Sequence, residues 1–370
     1  MTTPTLRHSA AYLDAERARI ATQPGLGFMG LLVVVPLSIL LGFGRGGAEH
    51  SAVILSPLVT FALPVLAMIA FWWEDWPGSS LRPAWAAIVD TFLIAAAGVA
   101  LALVGQAVVG QFDFFALFDP TPQAGSTPLY PAAMPLGLTV FTAILQLTLV
   151  CEGWPFKRLP RLIAGFAALT LSWGIALIVQ YTALQFTAPD GSGVISQEGP
   201  LSHEDINVML ALCGALQVWI FLVWRGWPLN KIGRRWLRIS FGNLLVLSGT
   251  GIGFLILDRG MDMAPGEIVA IVTSASTGGL IVAMLFEGVF RSRMSAAWER
   301  VATISTSIAL GAALFGGLIA YADTLTWTTT TADGWVAHIC VTSLGLSVLL
   351  HVGVSRRWPL RSTNVPAYSG

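Results

Sequence analysis

The chain has 370 residues, 55% of them hydrophobic and only 11% charged, with a formal net charge of zero and a mean hydropathy of +0.73. A soluble domain carries roughly a quarter charged residues, so this composition cannot cover a water-facing surface, and lipid is the implied solvent. The basic loops are too short for a nucleic-acid surface and suit anionic lipid headgroups instead.

Residues 1–25 are polar. Arg17 and Arg19 precede the first apolar run and no small-residue cleavage site follows it, so the first helix is expected to remain as a signal anchor. Ten apolar runs follow, near 26–43, 52–73, 84–109, 133–151, 161–186, 206–224, 236–257, 266–288, 299–321 and 335–354. Each approaches the ~20 residues that cross a ~30 Å hydrocarbon core. A membrane β-barrel needs strict alternation over ~10-residue strands, and none of these runs alternates. The expectation is an all-α, polytopic transmembrane helical bundle of about ten spans over 26–354, with a polar tail at 355–370.

With the N-terminus placed in the cytoplasm, 18 of the 20 Lys and Arg fall on that side, leaving Arg45 and Arg259 opposite. The positive-inside rule then predicts both termini in the cytoplasm and a cell-membrane location. The opposite loops are acidic, with Glu49, Asp113, Asp119, Asp190, Glu204 and Asp205 among them.

A phrase recurs after every second span: "WWEDWPGSSLRP" (72–83), "VCEGWPFKRLP" (150–160), "VWRGWPLNKIGRR" (223–235), "LFEGVFRSRM" (285–294) and "SRRWPLRS" (355–362). The landmarks Trp76, Trp154, Trp227, Val289 and Trp358 are 78, 73, 62 and 69 residues apart, the length of an out-and-back hairpin, so five hairpins are expected. Trp suits the headgroup layer, Pro stops the helix and the following cations bind anionic lipid. Convergence on a common interface composition and duplication of a two-helix unit both account for the recurrence. Glu74, Glu152 and Glu287 stand at helix C-termini, where the helix dipole disfavours them. Pairing with Arg82, Arg161, Arg300 or their neighbours would make a structural ring; a proton or cation gateway is the functional alternative.

Within the spans, ionisable residues are functional candidates by default. Asp90 lies about 10 Å into the third span and is a proton- or cation-coupling candidate, with Glu152 and Glu287 beside it in that role; Arg82 snorkelling toward Asp90 is the structural alternative. Pro36 and Pro64 interrupt the first two spans, and Gly249, Gly251 and Gly253 loosen the seventh, as in transporters with broken helices or in helices kinked for packing. Thr273, Ser274, Ser276, Thr277, Thr303, Ser305, Thr306 and Ser307 on the eighth and ninth spans, joined by Gln146, Gln217 and Asn243, form a candidate polar seam for a solute; close packing of small residues is the alternative. Phe112, Phe114, Phe115 and Phe118 give the loop 111–132 the character of an interfacial segment or lid. Ser202, three residues before Asp205, reads as a helix N-cap.

His338, His351, Asp333, His50 and His203 are the candidate metal ligands, without ligand-like spacing. A haem pair would need second histidines from a neighbouring span, which the chain does not supply. Cys151, Cys213 and Cys340 lack metal or disulfide spacing. No P-loop, HExxH or GxSxG is present, and no cofactor is expected. These features point to a transporter or permease for a small, poorly charged solute, with lipid as the surrounding partner. A membrane-embedded metal or redox enzyme using His338 and His351, or a non-catalytic scaffold subunit, are the alternatives.

Overall fold

The computed structural model describes residues 19–44, 46–121, 124–291 and 294–360. Arg7, His8, Arg17, Arg45, Arg293 and Arg361 lie outside the described residues, as do most of the two polar terminal segments. Among the described residues ten apolar helices follow one another: α1 (Gly25–Phe43), α2 (Ala48–Trp72), α3 (Pro83–Val109), α4 (Met134–Val150), α5 (Arg161–Thr182), α6 (His203–Val223), α7 (Arg235–Gly260), α8 (Pro265–Leu285), α9 (Ala296–Ala322) and α10 (Ala332–Val354). Nine are long and apolar enough to cross a membrane, and α4 is the shorter one. By its helices the chain is a multi-pass membrane protein.

One expected span is cut short. The fifth was expected to reach residue 186, but α5 stops at Thr182 and Leu184–Phe186 form strand β1. It pairs antiparallel with β2 (Gln197–Glu198) and parallel with β3 (Leu201–Ser202), so a small three-stranded sheet interrupts an otherwise helical chain. Pro189, Gly191, Gly193, Gly199 and Pro200 in this stretch disfavour helix, which leaves short extended pieces to pair with one another. Ser202 then caps α6 as expected, its hydroxyl accepting the Asp205 N–H at 3.0 Å.

The helices form two layers. In the inner layer α2 packs on α4, α4 on α6, α6 on α8, α8 on α10 and α10 back on α2, closing a ring of five. Each odd helix lies against the even helix before it, α3 on α2, α5 on α4, α7 on α6 and α9 on α8, while α1 packs on α10. Small residues let the layers approach closely. A methyl group on Gly278 of α8 would stand 2.4 Å from the Ser307 carbonyl of α9, and one on Gly98 of α3 would meet the Ala62 side chain at 2.6 Å. Association in lipid depends on such packing, because leaving lipid offers apolar side chains little. The odd helices accordingly expose Phe92, Leu247 and Ile308.

The recurrent phrase has one backbone form. The last turn of each even helix widens to a π-helix, at Met68–Trp72, Gln146–Val150, Val218–Val223, Ile281–Leu285 and Leu349–Val354. The second residue after the helix C-cap then turns left-handed, at Asp75 (φ 60°), Gly153 (75°), Gly226 (74°), Gly288 (70°) and Arg357 (66°). In four copies its N–H donates to the carbonyl six residues back, Asp75 to Ile69, Gly153 to Leu147, Gly226 to Ile220 and Arg357 to His351, at 2.7–2.9 Å. This is a Schellman closure widened by one residue to fit the π turn, and glycine occupies the strained position in three copies. The Trp–Pro bonds that follow, at 76–77, 154–155, 227–228 and 358–359, are cis.

Candidate functional site

The inner ring encloses a cavity of about 530 Å³ to which all five even helices contribute. Its lining follows one rule. Take as reference the residue after each even helix's C-cap: Glu74, Glu152, Arg225, Glu287 and Arg356. Ala67, Leu145, Val218, Leu280 and Leu349 stand seven residues before the references. Leu63, Phe141, Gly214, Ser276 and Gly345 stand eleven before, and Thr60, Leu138, Ala211, Thr273 and Thr342 fourteen before. Ser56, Met134, Asn207, Val269 and His338 stand eighteen before, and every one of these residues lines the cavity. Steps of three and four residues keep one face of each helix toward the axis, and four such tiers span about 16 Å at 1.5 Å per residue.

Polarity changes along this axis. The tier nearest the Trp–Pro turns is wholly apolar. The two tiers farthest from them hold Thr60, Thr273 and Thr342, then Ser56, Asn207 and His338. At the far mouth stand Tyr130, His203, Glu204 and Asp333, and among the described residues these two acids are the only formally charged ones in the lining. The loop 111–132 borders this mouth through Tyr130 and Pro131. Gln106 fastens that loop to the end of α3: its amide donates to the Asp113 and Thr127 carbonyls at 2.7 Å and accepts the Asp113 N–H at 2.8 Å. Tyr130 Oη meets Thr330 Oγ1 at 2.8 Å, and burial raises the Tyr130 phenol above its ordinary pKa. Phe112, Phe114 and Phe115 point outward and are exposed.

The coupling candidates sit at the Trp–Pro end, apart from the cavity lining. Asp90 is buried, and its Oδ1 accepts the Gly78 N–H at 3.0 Å, anchoring the turn after α2 onto α3. Glu152 receives the guanidinium groups of Arg235, at 3.1 Å, and Arg238. The Arg238 hydrogen bond holds the Glu152 carboxyl below its ordinary pKa. Glu287 pairs with Arg19 at 3.4 Å and Arg357 at 3.7 Å. Arg356 binds Asp75 at 2.7 Å, Arg225 binds Glu299 at 3.3 Å and Arg161 binds Glu74 at 3.8 Å, so ion pairs run around this end. Burial, the largest influence on Asp75, raises its pKa, against the opposing pull of Arg356. Arg300 lies over the Trp227 ring at 5.1 Å. Buried Arg357 also donates to the Met284 and Leu285 carbonyls at 2.6 and 3.2 Å, capping α8 from the turn after α10.

The expected polar seam divides. Gln217 donates to Gln146 at 2.7 Å and Gln146 to Asn243 at 3.0 Å, a chain that ties α6, α4 and α7 together away from the cavity. Ser274 Oγ meets Cys340 Sγ at 3.2 Å between α8 and α10. Ser305 is exposed and Ser307 is buried where α9 crosses α8. Ser276 and Thr277 do line the cavity. Of the metal candidates, His203, Asp333 and His338 line it, whereas His50 and His351 do not; His351 is buried with Nε2 facing Gly30 of α1. Among the described residues no group of three or more His, Cys, Asp and Glu is placed to hold a metal ion.

Thr273 belongs to the expected seam and lines the cavity, whereas Ser56, Thr60, Asn207 and Thr342 are cavity residues that the sequence reading passed over. The signal for them was present, because counting back from the repeated turns lands on each. Comparison with family models, with curated proteins and with solved structures finds no match.

Proposed function

We propose that the chain is a transporter or permease that carries a small, poorly charged solute along the axis of its five even helices. The observation that carries this reading is the common register of the lining: twenty residues on five helices face one cavity at four shared distances from a repeated turn. A packed core needs no such agreement, whereas a path along an axis does. Between the acidic mouth and the Trp–Pro end the described residues of the lining offer no formal charge, and a bare ion at that depth would go uncompensated. The apolar tier of Ala67, Leu145, Val218, Leu280 and Leu349 supplies a barrier of the kind that gates by dewetting. Asp90 has no part in this path.

The arginine and lysine distribution supports the finer points of topology: five hairpins, both termini in the cytoplasm of a cell membrane, and the Trp–Pro turns on the inner face against anionic lipid. Purified protein in liposomes tests the reading. Stopped-flow swelling with urea and glycerol should exceed that of protein-free liposomes, and Leu145→Trp should abolish the excess. Rates equal to those of empty liposomes for every neutral solute would overturn it.

A further inference from the structure

We propose that the middle of the cavity selects small, neutral, N–H-rich solutes, with urea and primary amines as the chemical class, because its hydroxyl groups are held as hydrogen-bond acceptors. The inference rests on the transport reading above and names its substrate class.

A backbone carbonyl can only accept, so a hydroxyl bonded to one has committed its single proton. Thr60 donates to the Ser56 carbonyl at 2.7 Å, Thr142 to Leu138 at 2.9 Å and Thr273 to Val269 at 2.7 Å. Ser276 donates to Val272 at 2.8 Å, and Thr277 crosses to the Cys340 carbonyl at 2.8 Å. Thr342 faces both the carbonyl and Nδ1 of His338, at 2.8 and 2.5 Å. Its proton goes to the carbonyl when Nδ1 carries a hydrogen and donates to the Thr342 oxygen, and to either of the two when Nδ1 is bare, so in both tautomers that proton is committed. All six residues line the cavity, between ten and fourteen positions before the reference residues, a band about 6 Å deep. What this belt offers a solute is therefore oxygen lone pairs. One turn nearer the mouth, Asn207 Oδ1 is buried without a partner and adds a further acceptor. The Ser56 hydroxyl and the Asn207 amide can donate at that level, but they stand outside the belt.

A solute that gives up water to enter must replace its hydrogen bonds. N–H groups find partners in the belt, whereas a carboxylate or other acceptor-only solute meets lone pairs with its own lone pairs and leaves both sides unpaired. Among the described residues no carboxylate stands within the belt to balance a full positive charge, so the neutral form is the one accommodated.

The test uses the full chain in liposomes, with urea, glycerol and formate as probes. Urea should pass faster than glycerol, and formate no faster than through empty liposomes. The triple variant Thr60→Val, Thr273→Val, Thr342→Val keeps side-chain shape but removes three acceptors and should slow urea by about tenfold or more. Thr→Ser at the same three positions keeps the oxygens and should retain urea flux; it also guards against misfolding of the valine variant, as does the single change Thr273→Val. Formate moving as fast as urea, or urea flux within twofold of wild type in a folded valine variant, would overturn the proposal while leaving the transport reading standing. Glycerol, urea and formate all failing to pass through wild type would bring down both.

Discussion

The even and odd helices are equally apolar and bury themselves very differently. In the most apolar stretch of α2, 94% of residues are buried, with 67% in α10, 56% in α8 and 39% in α6, against 28% in each of α1, α3 and α5, 22% in α7 and 11% in α9. Hydropathy therefore selects helices that can span and is silent about layer, because lipid tails are as apolar as leucine. What separates the inner helices is what they turn toward the axis: threonine, serine, asparagine and histidine at one end of the cavity, and aliphatic side chains at the other.

Substitutions that read the two layers differently sharpen this contrast. The largest effect is expected at the α8–α9 crossing. Gly278→Val would drive a side chain into the Ser307 carbonyl and should cost about 3 kcal/mol or more in a detergent unfolding titration. Gly317→Ala on α9 meets nothing within 4 Å and should change stability by less than about 0.5 kcal/mol. Equal effects would break the layer assignment. Next comes Leu145→Trp in the apolar tier, expected to block solute flux, beside Leu247→Trp on the lipid face of α7, expected to leave it unchanged.

Glu152→Gln should have a smaller effect, roughly 1 kcal/mol after allowance for the partial exposure of Arg235 and Glu152. Its sign with pH follows from the lowered carboxyl pKa. The wild-type advantage is complete above the ordinary value of 4.5 and fades as pH falls through the lower folded-state value. An advantage that grew on acidification would contradict the ion-pair geometry. The smallest change is expected for Asp90→Asn, whose amide oxygen can still accept the Gly78 N–H; uptake and its pH dependence should stay the same, while Asp90→Ala should destabilise by about 1 kcal/mol.

Much of the fold was legible because each helix has its own interface marks. The fourth span, expected at 133–151, is Met134–Val150; the repeated Trp–Pro phrase marks four turns of one form, and the turn after α8, without Trp–Pro, shares their π-helical ending and left-handed residue. The fifth span was overextended because Leu184, Gln185 and Phe186 continue its apolar pattern, and only the Gly and Pro beyond them decide for a strand. The site was less legible. Gln146, Gln217 and Asn243 attract notice as large polar groups in lipid, yet such groups are the ones that satisfy each other between helices. Threonine bonds to its own helix at little cost and so can face an open space inconspicuously. Asp90 was legible only as a buried carboxylate within a span; its contact with the Gly78 N–H, in the turn that precedes its own helix, is set by the fold.

Cysteine accessibility in intact membranes tests the central claim most directly. With Cys151, Cys213 and Cys340 replaced by Ala, single cysteines would be placed at positions 56, 60, 207 and 211 on the inner helices and 92, 247 and 308 on the outer ones. A membrane-impermeant thiol reagent should label the first set, with neighbouring inner positions reactive every three to four residues, and spare the second. Labelling confined to the outer set, or an inner set that stays unreactive throughout, would mean that the five even helices enclose no water-accessible axis.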